Sequence, residues 1–153
     1  MSNILFVCLG NICRSPAAEA ILRNIANQKG KTEIYVESCG LGSWHIGQLP
    51  DQRMMESANK RGIIMASRAQ QFRLEHFEKF DYILAADLEV LNVLHQHAKT
   101  LEQKAKLHLM TAFSNEYKDL EVPDPYYGGD VGFELVMDIL EDSCKGLLDH
   151  ISH

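Results

Sequence analysis

Ile4-Leu-Phe-Val-Cys8-Leu-Gly-Asn-Ile-Cys-Arg14-Ser15-Pro16 is the stretch that decides the fold. Its first residues are apolar, β-branched or aromatic, and Gly10 closes the run, so residues 3–8 read as a short buried strand. Ser15 and Pro16 then read as a helix start, with the serine as N-cap and the proline at the first helical position, where its missing N–H costs nothing. Ala17, Ile21, Leu22 and Ile25 continue at helical spacing and Gly30 is the expected stop. A strand that turns at once into a helix is the opening of an α/β unit.

Working outward, the alternation repeats. Glu33–Glu37 reads as a second strand, followed by a Gly/Ser/Trp loop from Cys39 to Gly47. Pro50-Asp51 opens a helix that ends at Lys60-Arg61-Gly62, with basic residues and glycine where a C-terminus favours them. Asp81–Ala85 is a third strand and Asp87–His97 a helix. Lys106–Met110 is a fourth strand whose polar interruptions suit a sheet edge. Residues 114–130 form a long polar loop containing Pro123-Asp124-Pro125. In the final helix Phe133, Val136, Met137, Leu140, Cys144, Leu147, Leu148 and Ile151 recur every three or four residues. The expectation is a single domain over residues 1–153. Its α/β fold is an open, four-stranded parallel sheet with helices on both faces, and ligands bind at the carboxyl ends of the strands. Cys8 lies at such an end.

Composition narrows the function classes. The chain carries a net charge of −6 without a Lys/Arg-rich block, so no nucleic-acid footprint is expected. The N-terminal apolar run is too short for a signal peptide and lacks a basic leader. No segment approaches the roughly 20 apolar residues of a membrane span. Four cysteines in 153 residues are too few for a secreted disulfide framework, so reduced thiols and a cytoplasmic address are expected. His95 and His97, at i and i+2, point different ways on a helix and do not suggest a metal site.

A loop between a strand and a helix N-terminus can turn successive backbone N–H groups inward to hold an anion, and the helix dipole adds to its positive potential. Arg14 brings a planar fork that grips two oxyanion oxygens at once. Everything that favours an anion at the loop centre also favours the Cys8 thiolate. Gly10 and Asn11 suit a tight loop with a left-handed residue. Ser15 is placed to hydrogen-bond the thiolate or stabilise it as a leaving group. An isolated cysteine at a strand end is most often a small buried hydrophobe; with Gly10, Asn11, Arg14, Ser15 and Pro16 in register, a nucleophile is the stronger reading.

Cys8-Leu-Gly-Asn-Ile-Cys-Arg-Ser-Pro16 together with Pro123-Asp-Pro-Tyr-Tyr127 resembles the low-molecular-weight protein tyrosine phosphatase family. The similarity runs the length of the chain, through Glu37-Ser38, Ser43-Trp44-His45-Ile46-Gly47, Phe80-Asp-Tyr-Ile-Leu84 and Gly128-Gly129. It implies hydrolysis of protein phosphotyrosine through a phosphocysteine, with Cys8 as nucleophile, Arg14 as phosphate clamp and Leu9, Gly10, Asn11, Ile12 and Cys13 as the phosphate-binding loop. It implies no cofactor and no metal. A tyrosinate leaving group needs a proton, and Asp124 is the candidate donor; on chemistry alone an Asp-Pro turn residue fits as well, and the resemblance decides for the general acid, which then acts as base. The resemblance also makes Trp44, Tyr126 and Tyr127 the walls of an aromatic slot, although a lone tryptophan could equally anchor a loop in the core. It makes Cys13 the redox partner of Cys8 and Ser38 a support that helps hold Asn11.

Ile12 stands where a phosphoarginine-specific branch typically has threonine, which favours phosphotyrosine. Ser67 and Gln70 stand where relatives often have a loop-supporting histidine and an arginine, and Val90 where an asparagine is usual. The expected partners are tyrosine-phosphorylated proteins, with a tyrosine kinase as a candidate companion and inorganic phosphate or vanadate as inhibitors. A monomer is expected, binding neither nucleic acid nor membrane. Two rivals remain: an arsenate reductase of the same fold, which would need further cysteines on a mobile segment, and a non-catalytic phosphate-binding module.

Overall fold

The computed structural model describes residues 2–31, 33–125 and 129–152. Four parallel strands, β1 (Ser2–Cys8), β2 (Ile34–Gly40), β3 (Tyr82–Ala85) and β4 (Leu107–Leu109), lie in the order β2-β1-β3-β4. The expected sheet is present, and β4 is an edge strand. β1 is central and buried on both faces, which is why its sequence is a continuous apolar run rather than an alternation. Its side chains still divide by parity. Ile4, Phe6 and Cys8 join the core with α1 (Arg14–Gln28), α2 (Gln52–Lys60) and the long C-terminal helix, while Leu5 and Val7 join the core beneath α3 (His76–Lys79) and α4 (Leu88–His97).

α1 therefore lies on one face and α4 on the other. The chain leaves β1 and β3 in opposite directions, and the carboxyl ends of these adjacent strands border a crevice. Cys8 ends β1; Asp87 follows β3. The site's position thus follows from strand order.

Local signals account for most boundaries. Asp51 caps α2 by accepting from the backbone N–H groups of Arg53 and Met54, and Asp87 caps α4 by accepting from that of Val90. Gly30 and Gly62 follow α1 and α2 with positive φ, as helix stops require. α6 (Gly129–Ile151) buries Phe133, Val136, Met137, Leu140, Cys144, Leu147 and Leu148 against α1 and α2, the stripe read from its spacing. Two short helices, α3 and α5 (Leu101–Ala105), are not foreseen, because four or five residues cannot display a helical period.

One boundary corrects the sequence reading. α1 starts at Arg14, with Cys13 in the N-cap position and no side-chain cap. Pro16 is the third helical residue, still in the first turn where no intrahelical N–H is lost. Ser15 is not the cap; its hydroxyl is used elsewhere.

Candidate active site

The segment 8–14 wraps around the Cys8 sulfur. Asn11 is the residue that reverses the loop, with φ of 57°, a left-handed conformation that asparagine tolerates better than most. Its backbone N–H points at the Cys8 Sγ, 3.3 Å away. Its side chain, 2% exposed, ties the loop to three neighbours. Nδ2 donates to Ser15 Oγ at 2.8 Å and to Ser38 Oγ at 3.0 Å, and Oδ1 accepts from the Gln70 backbone N–H at 2.9 Å. Ser38 in turn donates to Glu19 Oε1 at 2.6 Å. Ser15 Oγ lies 2.9 Å from the Cys8 Sγ and 3.3 Å from the Cys39 carbonyl. Ser15 accepts from Asn11 and has one proton to give, shared between the Cys39 carbonyl at 3.3 Å and the nearer sulfur, which as a thiolate can only accept.

β2 closes the loop from the other side. The Leu41 and Gly42 N–H groups donate to the Cys8 and Leu9 carbonyls at 3.0 and 2.9 Å. A Cβ on Gly40 would stand 2.9 Å from the Asn11 nitrogen, the Gly10 carbonyl carbon and the Leu9 oxygen. Only glycine lets β2 approach the loop this closely.

Arg14, 6% exposed, is held from beneath. Its Nη1 donates to Asp87 Oδ2 at 2.8 Å and to the Val122 carbonyl at 3.0 Å. Burial opposes the charge, but the Cys8 thiolate and the Asp87 carboxylate outweigh it and push the guanidinium's pKa up. Asp87 does two things with one carboxylate: Oδ1 caps α4 while Oδ2 aims Arg14. Cys13 also lines the site, and burial, reinforced by the negative charges of Cys8, Asp51 and Asp124, raises its thiol well above the ordinary range. It remains protonated beside the nucleophile. Cys39 and Cys144 are fully enclosed and burial raises both thiols, as packing residues require.

A cavity of about 160 Å³ brings together Cys8, Gly10, Ile12, Cys13, Arg14, Trp44 and Asp124. Asp124 is exposed on the 121–125 segment, flanked by exposed Pro123 and buried Pro125. Trp44 is 67% exposed and lines this cavity, so it is not a core anchor. Its ring covers Gly42, where a Cβ would fall 1.8 Å from Cζ3. Tyr126 and Tyr127 lie outside the described residues. Ser38 meets Asn11 through the Nδ2 bond given above.

Four residues that hold the site escape the sequence reading: Asp87, Glu19, Gln70 and Gly40. Asp87 carries a usable signal, an N-cap type at the carboxyl end of a strand. Glu19 is the one carboxylate in the otherwise apolar stretch Ala17–Leu22, and it is 5% exposed. Gln70, read as a departure, is an anchor: its backbone holds Asn11, and its Nε2 donates to Glu37 Oε1 and the Ser38 carbonyl, both at 2.9 Å. Among the described residues no three His, Cys, Asp or Glu side chains gather as metal donors would, and no helix is long and apolar enough to cross a membrane.

A cysteine at the end of a central parallel strand, under a helix N-terminus and a tied-back arginine, with a carboxylate across the cavity, defines a cysteine-dependent phosphoryl-transfer enzyme. Comparison with known proteins identifies which. The family model for low-molecular-weight phosphotyrosine protein phosphatases matches residues 3–153, and the chain belongs to that family. A Synechocystis protein named for the same family is 48% identical over 148 residues, 95% of this chain and 94% of that one. The crystal structure of a protein tyrosine phosphatase from Entamoeba histolytica superposes with a TM-score of 0.94 at 40% identity, covering 99% of this chain and 97% of that one. A Drosophila arginine phosphatase superposes at 0.91 and 32% identity, covering 100% and 99%. The chain is accordingly a phosphoric monoester hydrolase that dephosphorylates phosphotyrosine through a phosphocysteine, with Cys8 as nucleophile, Arg14 as clamp and Asp124 as general acid and base.

Proposed function

We propose that the loop, its hydrogen-bond network and the exposed wall divide the reaction as follows. The phosphoryl group sits among the backbone N–H groups of residues 9–14, with Arg14 on two of its oxygens. The Cys8 thiolate attacks phosphorus in line; the P–O bond to the tyrosyl oxygen breaks, and Asp124 delivers its proton to that oxygen. Asp124, now ionised, takes a proton from water as the water attacks the phosphocysteine. The S–P bond breaks, and the Ser15 hydroxyl stabilises the departing thiolate. Trp44 covers one face of the aryl ring, and the Tyr126-Tyr127 pair completes the slot. What carries this reading is the 2.9 Å contact of the buried Ser15 Oγ with the Sγ of Cys8, a residue that lines one cavity together with Arg14 and Asp124.

Cys13 serves as the resolving thiol. Once peroxide has oxidised Cys8 to a sulfenic acid, the Cys13 thiol condenses with it, forming the disulfide and releasing water. Support comes from both residues lining one cavity and from Cys13 being a free cysteine. The enzyme acts as a cytoplasmic monomer on proteins phosphorylated by a tyrosine kinase. Ile12 on the loop favours phosphotyrosine over phosphoarginine.

Leaving-group dependence tests the assignment. In Asp124→Ala, phenyl phosphate turnover falls by about 10²–10⁴-fold, and an ester whose phenol is strongly acidic loses far less. Equal losses on both substrates remove Asp124 from its role. Cys8→Ser abolishes turnover while vanadate still binds, and phosphoarginine turnover exceeding that of phosphotyrosine reverses the choice of substrate.

A further inference from the structure

The catalytic cavity opens into a larger one that the chemistry of an aryl phosphate does not fill. This trough, about 710 Å³, shares Leu9, Arg14, Trp44 and Asp124 with the catalytic cavity and runs between the 41–44 loop and α4. Beyond it a further hollow of about 280 Å³ shares Leu41, Gln71 and Val93 and ends at Phe72, Leu74 and His97. The continuous groove therefore leads from the nucleophile along the flank of α4, far past the reach of one tyrosine side chain.

Its walls have a definite chemistry. Leu41, Val90 and Val93 line the floor, and Phe72 and Leu74 the far end. Near the catalytic cavity the charged groups of the wall are Asp87, Glu89, Glu121, Asp124 and Arg14. Arg14 is bonded to Asp87 and committed to phosphate, which leaves the rim with the carboxylates of Glu89 and Glu121, both exposed. Glu121 is held in position: its Oε2 accepts from the Leu88 backbone N–H at 2.9 Å, across the start of α4. A carboxylate fixed beside a groove that joins the catalytic site selects cations next to the reacting group.

We propose that this groove receives the substrate's own polypeptide beside the phosphotyrosine, and that Glu89 and Glu121 select a Lys or Arg flanking it, with an apolar residue further along toward Leu74. The inference rests on the catalytic cavity being the phosphotyrosine site. It extends that reading from the reacting group to the sequence around it.

Synthetic phosphotyrosyl peptides with Arg or Glu at the flanking positions test it on the intact protein. Turnover of p-nitrophenyl phosphate is the control that reports on the catalytic cavity alone. The unaltered enzyme should favour the Arg-flanked peptides over the Glu-flanked ones in kcat/KM by roughly three- to tenfold, since exposed charge pairs are individually weak. The preference should shrink as salt is raised. In the double variant E89Q/E121Q the ratio should approach one while p-nitrophenyl phosphate turnover is unchanged; glutamine keeps an acceptor for the Leu88 N–H. A ratio of one in the unaltered enzyme, or a preference that survives both substitutions, overturns the inference. Loss of p-nitrophenyl phosphate turnover in the unaltered protein would instead strike the underlying assignment. Leu74→Ser should lower kcat/KM for peptides with an apolar residue at the far end and leave shorter ones unaffected.

Discussion

The two sides of the catalytic cavity are built on opposite plans. On the thiolate side, Asn11, Arg14 and Ser15 are 2%, 6% and 0% exposed, and each polar side chain is bonded to at least two partners. On the wall side Trp44 stands 67% exposed on a Gly/Ser loop, and Asp124 is itself exposed between two prolines. The difference separates two tasks. Attack on phosphorus needs donors fixed before the substrate arrives, because reorganisation during the reaction would forfeit their effect. Accepting one phosphoprotein after another needs a wall that tolerates variation.

The sharpest way to break the rigid side is Asn11. Asn11→Ala removes three side-chain hydrogen bonds and places a Cβ residue at φ 57° with no polar group to stabilise it. Stability should fall by about 2–4 kcal/mol, seen as a drop in Tm of roughly 5–15 °C, with activity lost in parallel. Asn11→Gly loses the same bonds but accepts the left-handed backbone. It should be the more stable of the two, and equal stabilities would mean that the backbone conformation contributes nothing.

Trp44→Ala probes the permissive side. An exposed aromatic contact is worth about 0.5–1.5 kcal/mol, so KM for aryl phosphates should rise about two- to twelvefold while the urea midpoint stays put. A large loss of stability would make Trp44 part of the core after all.

The smallest effect lies at the outer edge of the loop's support. Burial tends to raise the Glu37 carboxyl, but bonds from Lys79, Tyr35 and Gln70 outweigh it and hold its pKa at about 2. The unfolded chain would titrate near 4.3. A depressed carboxylate contributes stability that is complete above that value and lost as pH falls from about 4 toward 2. The stability difference between the native protein and Glu37→Gln, measured by urea unfolding, should therefore be greatest near pH 6 and shrink near pH 3. A difference that is constant with pH would deny Glu37 this role.

The same division explains what could be read in advance. The loop from Cys8 to Pro16 is contiguous, so the spacing of its residue types exposes the nucleophile, the clamp and the strand-to-helix turn together. The sheet is legible because β1 and β3 are short apolar runs between helical periods. Supports reached across the fold are not: Gln70 holds Asn11 through its backbone N–H, which no residue type advertises, and Gly40 matters only because a Cβ there would stand 2.9 Å from backbone atoms of the loop. Ser15 misleads for a related reason. Its type and position suit a cap, but the nearby sulfur claims its hydroxyl. Asp87 is a cap whose residue type could have announced it, while nothing in the sequence announces that its second oxygen serves Arg14.

The bonds that aim Arg14 reach 73 residues along the chain to Asp87 and 108 to Val122, and the bond that steadies Asn11 reaches 59 to Gln70. A nascent or partly unfolded chain holds every atom of the Cys8-to-Arg14 segment and none of this scaffolding. The donors that meet the Cys8 sulfur, the Asn11 N–H and the Ser15 hydroxyl, are held in place only once these distant segments have docked, so the recovery of turnover during refolding is a clock for the last native contacts to form.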